Sequence, residues 1–313
     1  MGTVPEVDER FTTVGDVELC YDAFGDPGDP AVLLIMGLGT QMIGWHADFC
    51  RALVERGFFV IRYDNRDSGR STHFDSVRPP RPAELLRRRI RRPAYTLTDM
   101  ANDAAGLLDA LEIERAHVVG ASMGGMIAQT LAVQHPDRVL SLTSIMSNTG
   151  SRWSGQAAVR LWPYFLRRPK AGREAFVTRI QTIFRVIGSP GFPRDDQWLR
   201  EMAELSFDRG ADAASTARQL GGIIASGNRT VDLRRIGAPT VVIHGTSDRL
   251  VKPSGGRATA RAIPGARLLP IRGMGHDLPR GAWPLLVDAI AEHARAADAA
   301  RTGETASHDA AAA

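Results

Sequence analysis

Three residues suited to acyl transfer lie far apart in this chain of 313 residues: Ser122, Asp248 and His276. A serine hydroxyl is a weak nucleophile until a base takes its proton, and an imidazole does this best when a carboxylate fixes its tautomer. Ser122 lies in Gly120-Ala121-Ser122-Met123-Gly124, after the apolar run His117-Val118-Val119 and before Ile127-Ala128-Gln129-Thr130-Leu131. This reads as a strand, a sharp turn and a helix, the context in which Gly-x-Ser-x-Gly lifts a hydroxyl above a sheet. Glycines flank the serine because strand and helix backbones approach closely there. Alone, the pattern recurs by chance in glycine-rich loops, so base, acid and oxyanion site must come from elsewhere.

His276 lies in Gly273-Met274-Gly275-His276-Asp277, the loop after the last apolar strand. Asp248 lies in His244-Gly245-Thr246-Ser247-Asp248-Arg249, the loop after the preceding strand. The other histidines are worse placed: His46 and His135 on helices, His117 and His244 at strand ends, His73 after a turn, His293 and His308 near the C-terminus. No carboxylate occurs from Val139 to Arg173, which removes the loop after the next strand as a source of the acid. Asp277 adjoins the histidine in sequence and is badly placed to bond its ring. A tetrahedral oxyanion needs two aimed backbone N–H groups, each worth about 3 kcal/mol. Met123, following the nucleophile, supplies one, and Leu38 in Met36-Gly37-Leu38-Gly39 is the choice for the other. Taken alone, that loop reads equally as a tight strand-to-helix turn.

The elements that must hold these loops follow from periodicity. Phe11 to Gly25 reads as two antiparallel strands and Asp26-Pro27-Gly28-Asp29-Pro30 as a turn. Ala31–Met36, Phe58–Tyr63, Val139–Ile145, Pro239–Gly245 and Ala266–Ile271 are apolar runs of the kind buried on both faces of a parallel sheet. Between the early strands, Trp45, Phe49 and Leu53 mark one helix, and Met100, Ala104, Leu107, Leu108 and Leu111, capped by Thr98 or Thr96, mark another. From about Thr149 to Asp232 the strands stop and segments rich in Trp, Phe and Arg take over, which reads as a helical lid. The expected divisions are 1–148 and 233–296 for the two parts of an α/β core, 149–232 for the lid, and 297–313 for a disordered alanine-rich tail.

Composition excludes several classes. Hydrophobic residues make up 43% and charged residues 24%, as in ordinary globular proteins. No apolar run is long enough to span a membrane, and Met1 to Arg10 lacks the apolar core of a secretory signal, so a cytoplasmic protein is expected. Cys20 and Cys50 sit in apolar contexts without metal or redox spacing and read as buried free thiols. The net charge is only +4, and Lys170 and Lys252 are the only lysines. The cluster Arg78, Arg81, Arg87, Arg88, Arg89, Arg91 and Arg92 reads as a solvated face, and no nucleic-acid motif accompanies it.

With Gly-Ala-Ser-Met-Gly-Gly, Asp64-Asn65-Arg66-Asp67-Ser68-Gly69-Arg70-Ser71, His-Gly-Thr-Ser-Asp and Gly-Met-Gly-His-Asp together, the chain resembles the α/β-hydrolase superfamily over roughly residues 11 to 295. It looks most like actinobacterial esterases of the aclacinomycin methylesterase type, which share the Met-Gly loop. The resemblance implies a mostly parallel eight-stranded sheet flanked by helices, with an inserted helical lid. Many relatives have His-Gly where this chain has Met36-Gly37. The Asp64–Ser71 stretch is read as structural support beside the site. A serine at the elbow, rather than aspartate, argues against haloalkane dehalogenase or epoxide hydrolase chemistry. The expectation is a carboxylic ester hydrolase with no cofactor and no metal, acting on a small apolar or aromatic ester. Gly37, Trp153, Trp162, Phe165 and Phe184 are expected to line its pocket. Carbon–carbon bond hydrolysis, cofactor-free perhydrolysis and a non-catalytic binder are the alternatives.

Overall fold

The computed structural model describes residues 8–158, 161 and 171–312, with side chains through Thr302. Eight strands form one sheet: β1 (Arg10–Val14), β2 (Val17–Phe24), β3 (Ala31–Ile35), β4 (Phe59–Tyr63), β5 (Ala116–Ala121), β6 (Val139–Ile145), β7 (Thr240–Gly245) and β8 (Arg267–Ile271). Their spatial order is β1-β2-β4-β3-β5-β6-β7-β8. β2 runs antiparallel to both β1 and β4, and β3 through β8 are parallel to one another. The antiparallel pair therefore caps one edge of a parallel sheet.

Both faces of that sheet are covered. Alternate residues of β3 point to opposite sides, so Leu33 and Ile35 join a core with Met100, Leu107, Leu108, Ile127 and Leu131. Val32 and Leu34 join a second core with Trp45, Phe49, Leu53, Leu286 and Ile290. The first core is roofed by α3 (Leu97–Ala110) and α4 (Met123–Gln134), the second by α1 (Ala47–Val54) and α9 (Trp283–Ala312). Each such aliphatic side chain, fully buried, contributes about 2 kcal/mol. That explains why the central strands are continuous apolar runs and not alternating ones.

Between β6 and β7 the described residues contain helices and no strand: α5 (Arg173–Ile187), α6 (Asp196–Asp208) and α7 (Ala213–Ser226). Leu199 and Met202 of α6 pack on Cys20, Met42 and Ile43 in a small third cluster, with Phe184 and Trp198 at its margin. Two short elements complete the chain, α2 (Pro82–Leu86) and α8 (Ser254–Ala262). The arginines from Arg87 to Arg89, with Arg91 and Arg92, are exposed around the end of α2.

Two local expectations need adjusting. Thr96, not Thr98, begins α3: its hydroxyl and N–H both donate to Asp99. The backbone of α9 runs on to Ala312, past the boundary at 296 where a disordered tail was expected. Alanine is the strongest helix former, so composition that resembles disorder is also composition that prolongs a helix. Cys20 and Cys50 are buried and unpaired, and burial pushes both thiols up to about 12. Among the described residues no helix is long and apolar enough to cross a membrane, and no cluster of side chains could hold a metal ion.

Candidate active site

Ser122 closes β5 and opens α4 with φ 56° and ψ −115°, a conformation L residues rarely adopt. It is held there by bonds to the adjacent strand. The Ser122 N–H donates to the Ile145 carbonyl at 2.9 Å, and the Ser147 hydroxyl donates to the Ser122 carbonyl at 2.8 Å. Gly124 is obligatory: a Cβ there would run into the Ile35 and Met36 backbone, 2.8 Å from the Met36 oxygen. The motif's second glycine thus lets α4 settle against the end of β3, pointing the serine away from the sheet.

His276 follows β8 and Asp248 follows β7. His276 Nε2 lies 2.9 Å from Ser122 Oγ, and its Nδ1 lies 2.7 Å from Asp248 Oδ2. The other Asp248 oxygen accepts the N–H groups of Leu250 and Val251, each at 2.9 Å. Burial pushes the Asp248 carboxyl up, but the charge of His276 and bonds to His244 and His276 prevail and hold it at about 2. It is therefore ionised across the neutral range, with its lone pairs directed at the imidazole. Such a chain delivers a proton from Oγ to Nε2 while Nδ1–H stays anchored.

The loop after β3 faces the serine. A side chain at Gly37 would bring its Cβ within 3.1 Å of the Ser122 Cβ, so the backbone at Gly37 runs against Ser122. Asn65 donates from Nδ2 to the Met36 carbonyl at 3.0 Å. Among the described residues no acceptor approaches the N–H of Leu38 or of Met123, the first residue of α4. A developing oxyanion requires two backbone donors of this kind, the role expected of Leu38 and Met123. Met36 itself is buried with its thioether against Gly44, so this loop carries no imidazole.

The expected pocket residues fare unevenly. Trp153 is 95% exposed and lines no enclosed space, although nearby Gly155 is buried. Phe184 packs at the margin of the Met42–Leu199 cluster, a tie between insertion and core. Trp162 and Phe165 lie outside the described residues.

Several residues at the site were not singled out from sequence. Ser147, in the loop after β6, donates its hydroxyl to the Ser122 carbonyl. The strand-end His244 lies beneath Asp248, its Nε2 2.7 Å from the Val251 carbonyl and 3.5 Å from Asp248 Oδ2. At the end of α5, the Ile187 carbonyl accepts the His276 N–H at 2.8 Å, and Ser189 Oγ accepts the Gly275 N–H at 2.7 Å while donating to Asp277. The Asp64–Ser71 stretch is an ionic hub. Asp64 pairs with Arg209 at the end of α6, Arg66 with Asp103 of α3, and Asp67 with Arg218 of α7. From sequence the Asp64–Ser71 stretch reads as structural support, but its partners, up to 151 positions away, are marked only by position in the fold.

The sheet order, the elbow and the loops around it define the class. A family model describing the α/β hydrolase fold matches residues 30–279, and the chain belongs to that family. It is 31% identical to a rhodomycin D methylesterase of Streptomyces sp. (strain C5), over 92% of this chain and 98% of that protein. It is 30% identical to 3-oxoadipate enol-lactonase 2 of Acinetobacter baylyi, over 78% of this chain and 81% of that protein. Among solved structures, the 2-hydroxy-6-oxo-6-phenylhexa-2,4-dienoate hydrolase of Rhodococcus sp. strain RHA1 superposes with a TM-score of 0.70 at 21% identity, covering 93% of this chain and 99% of that one.

Proposed function

We propose that the protein is a carboxylic ester hydrolase of the serine type, acting on the methyl ester of an apolar or aromatic acid. The observation that carries this reading is the chain Ser122–His276–Asp248, with contacts of 2.9 and 2.7 Å. In this reading His276 Nε2 takes the Ser122 proton as Oγ attacks the ester carbonyl. The tetrahedral oxyanion accepts the N–H groups of Leu38 and Met123. Collapse expels the alkoxide, which leaves as alcohol with the proton from His276. Water, deprotonated by His276, then releases the acid and restores Ser122. Asp248 holds the imidazole throughout. Residues 149–232 form the lid that selects the acyl group. The likeness to rhodomycin D methylesterase supports a methyl ester, and among the described residues His276 is the side chain that bonds to Ser122 Oγ.

Turnover of p-nitrophenyl butyrate and of methyl esters of aromatic acids, measured with the wild type and with Ser122→Ala, tests the proposal. Loss of Ser122 should lower kcat by about 10⁴-fold or more. A folded Ser122→Ala protein that keeps a tenth of wild-type turnover would sink it.

A further inference from the structure

We infer that Gln219, on helix α7 of the insertion, is a positioning residue for the oxyanion loop. The inference rests on the serine-hydrolase reading of Ser122. The Gly39 N–H donates to Gln219 Oε1 at 2.9 Å, and Gln219 Nε2 donates to the Arg66 carbonyl at 3.0 Å. Gln219 is fully buried. It belongs to the inward face of α7, along with Ser215, Arg218 and Gly222.

These two bonds complete a bracket around the oxyanion donor. On one side, Asn65 Nδ2 holds the Met36 carbonyl at 3.0 Å. On the other, Gln219 holds the Gly39 N–H and ties it to Arg66, the neighbour of Asn65. The Leu38 N–H lies between the two anchors. A turn bond from the Thr40 N–H to the Gly37 carbonyl, at 3.2 Å, closes the loop. The amide of Gln219 is chemically suited to this place because a neutral carboxamide carries both an acceptor oxygen and a donor nitrogen, one for each of the two backbone groups. An apolar side chain would strand the Gly39 N–H and the Arg66 carbonyl. Glutamate would keep the acceptor and lose the donor.

An oxyanion donor contributes only while it points at the transition-state oxygen, and displacement by about 1 Å costs on the order of 10²-fold. Loosening one anchor should cost part of this. It should appear in kcat, because the ground-state ester does not depend on the oxyanion bond. The α6–α7 half of the insertion is then a fixed part of the catalytic frame.

The test compares Gln219→Leu and Gln219→Glu with wild type, using p-nitrophenyl butyrate and a trifluoromethyl ketone that forms a tetrahedral adduct. Gln219→Leu should lower kcat about 20-fold with KM within twofold, and should weaken the ketone by the same factor. Gln219→Glu, which keeps the Gly39 bond, should recover most of kcat. A folded Gln219→Leu with kcat within twofold of wild type would overturn the inference, as would equal losses in kcat and KM without weaker ketone binding. If the Leu variant does not fold, the Glu variant decides: a drop of more than tenfold in kcat with unchanged ketone affinity overturns it. Retained turnover by Ser122→Ala would instead remove the reading on which the inference stands.

Discussion

Ser122 is held by β5, β6 and α4, whereas the two loops that face it are held in part by the helices inserted between β6 and β7. The elbow rests on backbone bonds to β6, the Ser147 hydroxyl and a glycine-permitted contact with the end of β3. The His276 loop hangs from Ile187 and Ser189 at the end of α5. The loop carrying Leu38 is tied to α7 by Gln219, and Gln41 beside it donates to the Ser206 carbonyl of α6 at 2.9 Å. Ser122 is thus set by the core, while the loops carrying His276 and Leu38 lean on the helices inserted between β6 and β7. A change in the insertion can therefore move the loops that face Ser122.

That contrast makes breakable claims. The largest effect is expected at Arg209, at the end of α6. Its guanidinium faces Asp64 in the buried hub and donates to Gln41 Oε1 at 3.0 Å. Burial pushes the Asp64 carboxyl up to about 7 against the N–H groups of Arg70 and Met42 and the charge of Arg62. Arg209→Met would remove the guanidinium that Asp64 and Glu9 share and leave Asp64 only the more distant charge of Arg62, a loss of about 3 kcal/mol in urea unfolding. A loss below about 1 kcal/mol, the worth of an exposed pair, would mean that insertion and core are not tied there.

A smaller effect is expected at Ser189. Ser189→Ala removes the acceptor of the Gly275 N–H and the donor to Asp277, each worth about 1 kcal/mol. His276 should lose part of its alignment, and kcat should fall about tenfold, equivalent to about 1.4 kcal/mol, with the melting temperature lowered by a few degrees. Unchanged kcat would show that the His276 loop stands without the insertion.

The same division explains what was readable in the sequence. The strands could be recognised because burial on both faces writes continuous apolar runs, as in Ala31–Ile35 and Thr240–Gly245. The loops carrying Ser122, Asp248 and His276 each follow such a run and carry their own glycines, so every signal was local. The braces are different. Gln219 and Gly39 are 180 positions apart, Arg218 and Asp67 are 151 apart, and nothing near Gln219 marks it among the polar residues of a helix. The outward Trp153 shows the reverse error: aromatic character in an insertion was read as a pocket wall, but which way a side chain faces depends on packing that local pattern does not encode.

Every role proposed for the site depends on the nucleophilicity of Ser122. Labelling the intact protein with a fluorophosphonate, followed by intact mass and peptide mapping, reads this directly. The expected result is one adduct per chain, on Ser122, which His276→Ala abolishes. No adduct on the folded wild-type protein, or one at another residue, would contradict the account.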